Sequence, residues 1–90
     1  MSEAVEPIEA HRFYDACEKL MVTFYQEWHI DPEFINVDNY LERFRPVAEE
    51  CEVLLVRMTK EPFGVRYLVD DKYFQLGITP ERGYFFERIG

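Results

Sequence analysis

Ninety residues, 48% of them hydrophobic and 17% aromatic, are enough for a single globular domain with one modest core, and not a disordered chain. No apolar run reaches the roughly 18 residues that a membrane span requires, and the acidic start MSEAVEPIEA lacks the basic and apolar regions of a secretory signal. The formal net charge of −8 is uneven: residues 1–52 hold thirteen acids and four bases, a balance of −9, and residues 53–90 hold five acids and six bases, a balance of +1. Direct nucleic-acid binding is disfavoured, because attraction to phosphate normally supplies that affinity. A cytoplasmic location is the expectation. With it goes the expectation that Cys17 and Cys51 are reduced and packed rather than bridged.

Residues 1–6 are polar and read as a frayed end. From Pro7 onward the apolar residues Phe13, Cys17, Leu20, Met21, Phe24 and Trp28 recur at helical spacing, which predicts a first helix over about 7–29. Tyr14, Tyr25 and Val22 widen its apolar arc beyond what one packing partner needs. Asp31 and Pro32 read as the cap and first position of the next element. Phe34, Val37, Leu41, Phe44, Ala48 and Cys51 continue a helical rhythm. Asp38 is a competing cap and Pro46 a kink, so the reading is a helix over about 38–50, bent near Arg45-Pro46. Residues 7–50 thus form an acidic helical half.

Residues 52–89 read as an antiparallel sheet. Glu52–Lys60 is β-rich and apolar on both faces, as a central or well-covered strand would be. Glu61-Pro62-Phe63-Gly64 is a turn, and Val65–Val69 is the second strand. Asp70-Asp71 is a two-residue turn, Lys72–Thr79 the third strand with a bulge suspected at Gly77, and Tyr84–Ile89 the last strand after a Pro- and Gly-bearing turn. Short loops between consecutive strands favour a meander. The expected architecture is therefore α+β, with two N-terminal helices on one face of a four-stranded antiparallel β-meander. Tyr67, Tyr73, Gln75, Tyr84 and Arg57 are assigned to the face left wet.

No catalytic, cofactor or metal site is expected. His11 and His29 lie eighteen residues apart on one helix, which separates them by about 27 Å and rules out a shared ion. Neither histidine has the three- or four-residue offset that would face Cys17. The chain has no Gly-rich phosphate loop, no GxSxG, no CxxC and no twelve-residue calcium loop. What remains is collective. An acidic helical half beside aromatic residues suits a larger basic protein, including a nucleic-acid-binding one whose groove the carboxylates would fill in place of phosphates. The candidate contact residues are Asp15, Glu18, Glu49 and Glu50 for charge, and Tyr14, Val22 and Tyr25 as anchors. The expected role is a non-enzymatic inhibitor or antagonist. The alternative is an adaptor or subunit using aromatic and apolar contacts on the first helix or the open sheet face. The wide helical arc would also suit a homodimer. In composition the chain is similar to small acidic α+β proteins such as phage-encoded inhibitors, toxin-immunity proteins and adaptor modules.

Overall fold

The structure is a computed structural model, and it describes residues 7–33 and 36–90. Two helices, α1 (Ile8–Ile30) and α2 (Val37–Cys51), precede four strands, β1 (Leu54–Lys60), β2 (Phe63–Val69), β3 (Lys72–Thr79) and β4 (Gly83–Arg88). The strands pair antiparallel in the order β1-β2-β3-β4, and both helices pack on one face of this meander. The α+β arrangement expected from the sequence is the one observed.

Helix α1 forms where the apolar rhythm placed it. Ala10, Phe13, Cys17, Met21 and Phe24 are buried along one stripe. Pro7 takes the N-cap position rather than the first helical one, and Asp31 closes the helix instead of opening the next. The cap of α2 is Asn36, whose side-chain oxygen accepts from the Asp38 amide at 2.9 Å. Asp38 sits in the first turn, where its charge suits the helix dipole. Phe34, assigned above to the buried rhythm, lies outside the described residues. Pro46 is carried inside a continuous helix. Glu52 ends α2 in the left-handed conformation at φ 62°, its amide reaching back to the carbonyls of Ala48 and Glu49.

The core lies between the layers. The Phe13 ring sits 4.7 Å from Tyr67 and 6.4 Å from Phe44, while Phe24 stacks on Tyr40 at 4.2 Å and meets Phe44 edge-on at 5.3 Å. These contacts tie α1, α2 and β2 together, with centroid spacings typical of favourable aromatic pairs. The Tyr67 hydroxyl donates to the Ala10 carbonyl at 3.1 Å and satisfies its own buried oxygen. Cys17 and Cys51 are free thiols in the same core. Burial, and then the neighbouring Cys51, pushes the Cys17 thiol up from its ordinary range, so neither packing nor chemistry favours a reactive thiolate there.

Three readings of the sheet need correction. First, β1 is an edge strand, not a central one. Its apolar residues serve two different surroundings: Met58 is buried, whereas Leu54 is 62% exposed. Second, the bulge falls between Leu55 and Arg57 on β1, and β3 runs in unbroken register through Gly77. Third, Tyr67 and Tyr84 face the helices. Both hydroxyls donate to α1 carbonyls, Tyr67 to Ala10 and Tyr84 to Tyr14. Cross-strand partners share a face, so the pairs Tyr67–Phe74 and Ile78–Tyr84 fix the covered side. Arg57, Arg66, Tyr73 and Gln75 lie on the other side, as expected for three of them. The turns are also tighter than read at one place, because β2 begins at Phe63 and only Glu61-Pro62 separates it from β1.

Candidate functional site

The carboxylates Asp15, Glu18, Glu49 and Glu50 are exposed, and none forms an ion pair among the described residues. They do not form one cluster. Asp15 and Glu18 sit on the flank of α1 next to Tyr14, which is stacked on Tyr84 of β4 at 4.6 Å. Glu49 and Glu50 sit on α2, and consecutive helix residues point about 100° apart. The helical layer therefore offers a broad acidic surface with several facets. Its bases are partly engaged. Arg45 forks onto Glu42 at 3.0 Å, holding that carboxyl below its usual range, and the Arg43 guanidinium lies 4.9 Å from the Phe24 ring centre.

The aromatic anchors proposed for this layer are largely occupied. Tyr14 packs on Tyr84 and Phe86, and Tyr25 on His29 and Phe63. Val22 is half-buried. Two residues missed in the sequence stand out instead: Ile8 and Ile30, at opposite ends of α1, are 73% and 83% exposed. Both lie off the buried stripe, a position that the helical rhythm already disclosed but that their flanking place in the helix obscured.

The open sheet face divides into two ends. At the end nearer the β3–β4 turn, Gly77 is covered by the Phe85 ring, and the Arg82 guanidinium stacks on that ring at 3.7 Å while pairing with Glu87 at 2.9 Å. Beside this stack a buried polar chain crosses three strands. Arg66 donates to Gln75 at 3.1 Å, Gln75 to Thr59 at 3.0 Å, and Thr59 to the Pro62 carbonyl at 2.7 Å. At the other end Leu54, Leu68 and Tyr73 stand opposite one another across β1, β2 and β3, and Ile89 joins them through its amide bond to the Tyr73 carbonyl. Leu54, Tyr73 and Ile89 of this row are exposed.

An open cleft of about 630 Å³ lies beyond the turn end, walled by Tyr25, Trp28, Pro62, Phe63, Pro80 and Phe85. Its polar groups are partly engaged: Lys60 lies 5.7 Å from the Trp28 ring centre and Arg82 is held by Glu87. Neither cysteine lines it. The rest of its wall is largely ionisable, with His29, Glu61, Glu81 and Glu87 among the lining residues. Among the described residues no group of three or more His, Cys, Asp or Glu comes together as a metal site, and no helix is long and apolar enough to cross a membrane. No protein-family model, curated protein or solved structure matches this chain.

Proposed function

We propose that this chain is a non-enzymatic protein-binding module whose acidic helical layer covers a basic surface of a larger protein and thereby inhibits or antagonises it. One observation carries the reading: Asp15, Glu18, Glu49 and Glu50 are exposed carboxylates without an ion-pair partner among the described residues, on the half of the chain that holds thirteen of the eighteen acids. Unneutralised charge on a rigid two-helix layer accelerates encounter with an oppositely charged partner and makes the encounter salt-sensitive. Ile8 and Ile30 supply apolar contacts that Tyr14 and Tyr25, already packed on the sheet, do not. A nucleic-acid-binding groove on the partner fits the same chemistry, with carboxylates in the place of phosphates.

The test is affinity capture from cells that make the protein, followed by titration of the purified partner at low and high salt. The wild-type chain is compared with a variant carrying Asp15→Lys, Glu18→Lys, Glu49→Lys and Glu50→Lys. The expected result is affinity that falls with salt and drops by about tenfold or more in the variant. Equal binding by both chains without salt dependence overturns the reading. In that case the adaptor alternative, in which the open sheet face is the contact, takes its place. That alternative draws its support from the exposed Leu54 and Tyr73.

A further inference from the structure

The sheet face carries a second, opposite signal. Arg57 on β1 and Arg66 on β2 are direct register partners, and both project from the open face. Like charges directly opposite each other across an antiparallel pair repel. Among the described residues no carboxylate relieves this pair: Arg66 donates only to the neutral Gln75, and Arg57 has no hydrogen-bond or ion-pair partner. The pair opens onto a groove of about 510 Å³ along β1, where Arg57, Lys60 and Arg66 face Asp38 and Glu61. This is a locally cationic site on a chain of net charge −8.

Two further features narrow the occupant. Among the described residues β1 pairs on one side only, and from Arg57 to Lys60 its register is regular, so the bulge that often protects an edge lies before this stretch and not within it. Next to it lies the apolar row of Leu54, Leu68, Tyr73 and Ile89. A free inorganic anion would satisfy the arginines and leave that row wet. A polyanion such as nucleic acid or an anionic bilayer would satisfy the arginines but meet Asp38 and Glu61 in the same groove and leave the apolar row unused. An extended peptide carrying few acids between apolar residues satisfies all three: carboxylates for the arginines, backbone for the edge and side chains for the row. We propose that the free edge of β1 receives an extended acidic segment of a partner protein, with its carboxylates on Arg57 and Arg66 and its apolar side chains over Leu54 and Leu68. This surface is separate from the helical layer discussed above, and the two readings stand or fall independently.

The experiment is selection of random short peptides displayed against the intact protein. It is followed by titration of the synthetic winners and by amide shift mapping in NMR spectra. The expected winners carry Asp or Glu two positions away from aliphatic or aromatic residues, so that both kinds of side chain fall on the open-face side of an extended strand. They shift the amides of Arg57–Lys60 most, and they lose about tenfold or more in affinity on Arg57→Glu with Arg66→Glu. The milder Arg57→Gln, at an exposed side chain, keeps the fold and still weakens binding. Winners that are neutral or basic, shifts centred on α1 or on the cleft at Trp28, or undiminished binding by both variants overturn the proposal. Binding to phosphatidylglycerol vesicles as tight as to the peptides overturns it in favour of a membrane surface. A concentration-dependent dimer that Arg57→Glu abolishes overturns it in favour of a second copy of this chain.

Discussion

The two faces of this sheet are closed by different means. The covered face is closed by another layer: Phe63, Val65, Tyr67, Phe74 and Leu76 are buried against α1 and α2. Among the described residues the open face has no such layer, and only half of it is closed at all. At the turn end the sheet closes upon itself, with Phe85 laid over Gly77, Arg82 over Phe85, and Gln75 buried in hydrogen bonds to its neighbours. At the other end Leu54, Tyr73 and Ile89 remain exposed beside the unrelieved Arg57–Arg66 pair. Folding accounts for the covered face and for the sealed half of the open one. The bare half is what folding alone leaves unexplained, which is why it is the place to look for a partner.

Substitutions should separate these regions sharply. Phe44 is fully buried between α1 and α2, so Phe44→Ala is expected to lower the unfolding free energy by about 3–5 kcal/mol through lost burial and a residual cavity. Leu54→Ala, at 62% exposure, should change it by no more than about 0.5 kcal/mol. Urea denaturation of both variants measures the contrast, and comparable losses would erase it. The sealed half comes next in size. A Cβ on Gly64 would stand 1.8 Å from the Leu76 carbonyl oxygen, a backbone atom of the neighbouring strand that cannot swing aside. Gly64→Ala should therefore cost about 1–3 kcal/mol, toward the upper end of overpacking effects. A neutral outcome in the same denaturation experiment would mean that the two strands lie further apart than the self-sealing account requires.

The tyrosines buried between the helices and the covered face give a smaller and pH-dependent effect. Burial, and then the Glu27 carboxylate that accepts its hydroxyl, raises Tyr40 from 10.0 to about 12. Burial is also the first cause of the upward shifts at Tyr67 and Tyr84. A raised folded-state value means the native chain holds its protons longer than the unfolded one. The stabilisation is therefore complete below pH 10 and is lost as pH rises through the folded-state values. Unfolding free energy plotted against pH should be level from neutral pH up to that point and fall beyond it. Tyr67→Phe removes the bond to the Ala10 carbonyl and should cost about 1 kcal/mol at neutral pH, with a shallower alkaline fall. An alkaline limb as steep as that of the wild-type chain would show that Tyr67 takes no part in it.

Much of this architecture was legible in the residues. The spacing of Phe13, Cys17, Met21 and Phe24 placed α1 to within a residue at each end, and β3 was read at its observed bounds. Asp70 and Asp71 do form the left-handed turn, at φ 52° and 65°. The bulge in β1 and the faces of Tyr67 and Tyr84 were not legible, for separate physical reasons. Leu54, Leu55 and Val56 are consecutive apolar residues, so the alternation that would reveal a bulge is absent there, and one extra residue reverses every later side chain. Tyrosine deepens the ambiguity, because its ring suits a core and its hydroxyl suits water. Tyr67 and Tyr73 are thus indistinguishable by type, yet the first is buried and the second is 44% exposed. The acidic candidates were legible as charges. Their spread over separate facets depended on how the helices sit, which residue type does not encode.

The smallest expected effect is the one that best tests whether the bare half of the open face is kept for a partner. If the Arg57–Arg66 pair served the fold, removing one guanidinium would cost stability. The arrangement argues the opposite, since the two charges face each other, Arg57 holds no partner among the described residues, and only Arg66 is fixed, by Gln75. Arg57→Gln should therefore leave the thermal midpoint unchanged or raise it, by the equivalent of about 0.2–1 kcal/mol at low salt, with the gain shrinking as salt screens the repulsion. Arg66→Gln removes the same repulsion but also a hydrogen bond to a buried amide, so its gain should be smaller or reversed in sign. A midpoint for Arg57→Gln well below that of the wild-type chain would make the pair a structural feature. A midpoint at or above it, together with weakened binding of acidic peptides, would mark a residue whose cost to the fold is offset only when a partner is bound.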